Sequence, residues 1–77
     1  MPTISAVLTL TSEPEERHAV IKELSEHAEV TLGKLVGDRL PVVVQTDSQL
    51  GDAEFWKHVR RTVGILHIEV VFAELGN

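Results

Sequence analysis

Four histidines and twelve carboxylates are the groups in this chain with the greatest chemical reach, so their spacing is the first thing to test. The histidines stand at 18, 27, 58 and 67, and nothing in their spacing is a metal-ligand pattern. His67 and Glu69 lie two residues apart, on one face of any strand that carries them, as an acid–base pair would. No nucleophile accompanies them, and such a pair reads as ordinary surface. There is no cysteine, which removes disulfides and thiolate metal sites together. Gly33 and Gly37 belong to a hairpin pattern and do not form a phosphate loop. Trp56 sits at helical spacing with other apolar residues and reads as a core anchor. We therefore expect no catalytic residue, no metal, no cofactor and no enzyme.

The elements that would position these groups can be read from periodicity. Residues 3–11 alternate, with Ile4, Ala6, Leu8 and Leu10 on one side and Thr3, Ser5, Val7, Thr9 and Thr11 on the other. Ser12 with Glu15 fits a capping box, and Pro14 suits a first helical turn. The helix predicted there runs to about Glu26 or His27 and buries Val20, Ile21, Leu24 and Ala28. Residues 29–35 alternate again, and Val36-Gly37-Asp38-Arg39 carries a Gly-Asp hairpin signal. Leu40 to Thr46 reads as the next strand, with Pro41 at its start or at a bulge because proline cannot donate to a ladder. Phe55, Trp56, Val59 and Val63 give a second helical stripe. Gly64 then opens a long strand in which Leu66, Ile68, Val70 and Phe72 face the core and Ile65, His67, Glu69, Val71 and Ala73 face away.

Strand, helix, strand, strand, helix, strand is the order of a ferredoxin-like βαββαβ sandwich of the α+β class. The expected sheet is four-stranded and antiparallel, in the order 4-1-3-2, with both helices on one face. Seventy-seven residues make one domain, residues 1–77, near the lower limit for a core without a staple. The net charge of −5 argues against a phosphate-backbone ligand, so no nucleic-acid partner is expected. Met1 to Ser5 shows neither a basic n-region nor an apolar run, and no stretch suits membrane insertion. A cytoplasmic protein is expected.

With both helices on one face, the other face of the sheet is left without cover. It would present Ser5, Val7, Thr9, Glu29, Thr31, Val43, Gln45, Ile65, His67, Glu69 and Val71. Val7, Val43, Ile65 and Val71 would form an apolar strip among polar groups, as partner surfaces often do. No aromatic is expected there to stack a base. A copper-chaperone use of the fold would need a Cys-x-x-Cys pair, which is missing. An anion cradle after the first strand is opposed by the carboxylates of Glu13 and Glu15.

The stretch Ile4-Ser5-Ala6-Val7-Leu8-Thr9-Leu10, followed by Pro14-Glu15-Glu16-Arg17, resembles the opening of the NapD family. Glu29-Val30, Gly37 to Gln45, Gly64-Ile65-Leu66 and Val70-Val71-Phe72 fit that family's later strands. The chain departs from the pattern at His27-Ala28 and Val63-Gly64, where the family has Pro-Gly. It departs again at Phe72-Ala73, in place of Tyr-His, and at Pro41. The resemblance implies a cytoplasmic chaperone for a molybdenum-containing periplasmic nitrate reductase. Such a chaperone binds the twin-arginine signal peptide of the catalytic subunit and delays export until the cofactor is inserted. The open face would hold that peptide, with Glu29 and Glu69 receiving arginine. The alternative expectation is a self-associating regulatory or accessory module that uses the same face for a weak homodimer.

Overall fold

The computed structural model describes residues 3–47 and 49–74, without the side chains of residues 49, 50 and 52. Its elements are β1 (Thr3–Leu10), α1 (Pro14–Ser25), β2 (Val30–Leu32), β3 (Arg39–Gln45), α2 (Gln49–Arg60) and β4 (Ile65–Glu74). All pairings are antiparallel, in the order β2-β3-β1-β4, which read from the β4 edge is 4-1-3-2. No helix among the described residues is long and apolar enough to cross a membrane.

Strict alternation explains the two central strands. In β1, Ile4, Ala6, Leu8 and Leu10 are buried, and in β3 so are Leu40, Val42 and Val44. These residues form one cluster with Val20 and Leu24 of α1 and Phe55, Trp56 and Val59 of α2, which sets both helices on one side of the sheet. Burying a side chain of this size contributes about 1.5–3 kcal/mol. Ile21 packs partly against the cluster, whereas Ala28 is exposed beyond the helix end. Val63 likewise lies past α2 and is exposed, so it does not extend that helix's stripe.

Local chemistry sets the ends of α1. Glu13, not Ser12, caps the helix, its Oε1 accepting from the Glu15 N–H at 2.9 Å. The Glu13 N–H donates to Thr11 Oγ1 at 3.2 Å, and Arg17 Nε donates to the Thr11 carbonyl at 3.0 Å. Glu13 and Pro14 thus enter the helix as an extended-then-helical pair suited to proline's fixed φ.

The Val36–Arg39 hairpin closes with two backbone hydrogen bonds, of 3.0 and 3.1 Å. Gly37 has φ 63° and Asp38 a negative φ, the pattern of a type II′ turn. Pro41 lies inside β3, where its carbonyl accepts from the Gly33 N–H at 2.8 Å. Its backbone therefore faces β2 at the point where the β2 ladder stops at Leu32 and gives way to the 33–35 loop. The missing donor costs little there.

β4 breaks the alternation expected of it. Its register on β1 shifts twice, between Thr9 and Leu10 and between Ser5 and Ala6, leaving Leu66 and Val71 without Cα partners. Each shift inserts one extra residue and so reverses the facing of the residues beyond it. Ile65 pairs with Leu10 and packs on the core, contrary to its expected place on the open face. Phe72 pairs with Ser5 and joins the open face, contrary to its expected place in the core. Leu66, expected in the core, is 68% exposed. Only the segment from His67 to Val70 keeps the facing that simple alternation predicts.

Candidate peptide-binding face

The uncovered side of the sheet is laid out in rows by the registers of its strands. One row runs Glu29, Gln45, Thr3, Glu74 from β2 to β4, Glu29 being placed by its carbonyl, which accepts from the Gln45 N–H at 2.9 Å. The next runs Thr31, Val43, Ser5, Phe72. The third runs Pro41, Val7, Glu69, and the last Arg39, Thr9, His67. Neighbouring residues in a row lie roughly 5 Å apart and rows about 7 Å apart. The two middle rows therefore group Val43, Pro41 and Val7, with Phe72 on the far side of Ser5, into a largely apolar patch. Carboxylates flank it at Glu69 and at the Glu29–Glu74 row, and the positive Arg39 stands at the far end.

The members differ in exposure. Val7 on β1 is half-buried, Val43 on β3 is 40% exposed, and Phe72 on the edge strand β4 is 54% exposed. Val71 is 67% exposed at its bulge. Glu29 is engaged, its Oε1 lying 3.1 Å from His27 Nδ1. Among the described residues, the Glu69 and Glu74 side chains have no hydrogen-bond or ion-pair partner. Unpaired carboxylates beside an apolar patch are ready acceptors for a guanidinium, which can meet both oxygens at once.

At the Glu29 end the face runs into a cavity of about 570 Å³, lined by Ala28, Glu29, Gln45, Thr46, Asp47, Gly51 and Phe55. Two carboxylates, a side-chain amide and an aromatic wall form a setting in which a guanidinium could pair and stack at once.

No family model, curated protein or solved structure matches the chain.

Of the residues expected on this face, the structure gathers Ser5, Val7, Thr9, Glu29, Thr31, Val43, Gln45, His67 and Glu69. Val71 lies at its β4 margin, and Ile65 is removed to the core. Sequence reasoning missed Phe72, Glu74, Pro41, Arg39 and Asp47. Pro41 and Arg39 carry the odd-numbered facing of β3 and were legible by parity. Phe72 was not, because the bulge that turns it outward leaves no mark in the residue pattern. Its presence also corrects the expectation that this face holds no aromatic.

Proposed function

We propose that the chain is a peptide-binding chaperone whose open sheet face captures an arginine-bearing, partly apolar segment, the twin-arginine signal peptide of a client enzyme. The observation that carries the reading is the Val7–Pro41–Val43–Phe72 patch flanked by the unpaired carboxylates of Glu69 and Glu74. The apolar part of the peptide would lie on the patch, and its arginines on Glu69, Glu74 and the cavity holding Glu29 and Asp47. A net charge of −5 favours encounter with a basic segment. The βαββαβ order and the 4-1-3-2 sheet support a ferredoxin-like assignment of the fold. The resemblance to the NapD family names the client as a molybdenum-containing periplasmic nitrate reductase and the place of action as the cytoplasm. No bond is made or broken; the peptide is hidden from export while bound.

The second reading, a self-associating module, draws on one feature. The edge strand β4 exposes Val70, Val71 and Phe72 in sequence, and an unpaired apolar edge is a template for a second strand.

Titration with a synthetic twin-arginine peptide, with a twin-lysine peptide as control, tests the proposal. Saturable binding that moves the Val7, Val43, Glu69 and Phe72 amides and weakens with lysine is expected. Glu69→Lys faces solvent, so it should weaken binding about tenfold or more while leaving stability within about 0.5 kcal/mol. Binding that ignores both changes would sink the assignment. A concentration-dependent dimer with β4 protected, and no peptide binding, would favour the second reading.

A further inference from the structure

Glu29 and Phe55, which line the cavity at one end of the open face, also touch His27, and there the chain brings together three residues of a different chemistry. Glu23 lies in the last turns of α1, His27 just past its end, and His58 in the last turn of α2. One donor atom from each lies within 4.8 Å of the others. His58 Nε2 and Glu23 Oε1 are 2.9 Å apart. We propose that Glu23, His27 and His58 form a binding site for a divalent cation of borderline softness, zinc foremost, which ties the end of α1 to the end of α2.

Two further observations point the same way. His27 places Nδ1 3.1 Å from Glu29 Oε1, and a proton held there leaves Nε2 with its lone pair free to coordinate. A ligating imidazole whose other nitrogen donates to a carboxylate is the usual outer-shell arrangement of zinc sites, fixing the tautomer and raising ligand basicity. The His27 ring is also held from behind, edge-on to Phe55 at 5.5 Å, and Phe55 in turn packs on Trp56 at 5.3 Å. Its orientation is thus set by the buried aromatic core before any ion arrives.

Two neutral imidazoles and one carboxylate suit zinc, and donors about 3.3–3.5 Å apart satisfy tetrahedral bonds of about 2.0–2.1 Å. The three donors lie within 4.8 Å of one another, and the His58 side chain is exposed. That exposure leaves the fourth position to water, so the site is open in the way three-ligand zinc sites are. Along the chain, 27 and 58 are too distant for any spacing rule to join them.

The test is zinc binding by the full chain, measured by competition with a chromophoric indicator. Cobalt(II) substitution reads the geometry through its visible absorption. Saturable one-to-one binding with an intense tetrahedral cobalt spectrum is expected. His58→Ala, at an exposed position, should weaken affinity by more than the roughly 10–100-fold that an outer-shell partner is worth. Glu23→Gln should do the same, while His18→Ala and His67→Ala leave it unchanged. Full affinity in His58→Ala, dependence on His18 or His67, or no saturable binding would overturn the proposal.

Discussion

The strands β1 and β4 lie side by side and carry similar residues, yet they obey different rules. β1 keeps perfect alternation over eight residues, with Leu8 and Leu10 each 1% exposed. β4 is paired on one side only, slips register twice in ten residues and leaves most of its length exposed. β1 is held by ladders on both sides and by core contacts beneath, so a one-residue slip would turn its whole apolar set to water. β4 has one ladder, and α2 packs on it only lightly. A bulge there costs one unpaired position at an edge where backbone groups already meet solvent. Hydrophobic periodicity is trustworthy in proportion to the number of neighbours enforcing it.

Substitutions in the two strands should differ in cost accordingly. The largest effect is expected in the central strand, where Leu8→Ala should destabilise by about 3–4 kcal/mol, and the counterpart Ile68→Ala in β4 by about 1–2 kcal/mol. Urea unfolding of the two variants measures the ratio, and equal costs would defeat the distinction. Gly64 is the point at which β4 is pinned. Its φ of 104° disfavours a side chain, and an added Cβ would lie 2.8 Å from Val20 Cγ2. Gly64→Ala should therefore cost about 2–3 kcal/mol, a value between those of a central and an edge position. The smallest effect is expected at Phe72→Ala, within about 1 kcal/mol in thermal unfolding, because the ring lies on the open face. A cost of about 3–5 kcal/mol, as for a buried phenylalanine, would restore simple alternation and place Phe72 in the core.

Much of the fold was legible because its signals are local. The Val36-Gly37-Asp38-Arg39 turn, the Val20–Leu24 stripe and the alternation of Leu40, Val42 and Val44 each depend on residues within one turn or strand of one another. The cap of α1 was legible in place but not in identity, since Glu13 and Ser12 both offer an acceptor and only the path of the chain chooses between them. The open face was legible on β1 and β3, where parity holds, and failed at Ile65 and Phe72, where the bulges intervene.

The sequence by itself determined the order of elements, the core of the two central strands and the acidity of the molecule, because period and charge are properties of the chain alone. That Phe72 lies on the open face and Ile65 on the core depends on the tertiary structure, since a bulge is settled by how a strand fits its single neighbour. The meeting of Glu23, His27 and His58 was decided there too. Residues 35 positions apart come within 2.9 Å only when two helices are laid on one sheet face and their ends brought level.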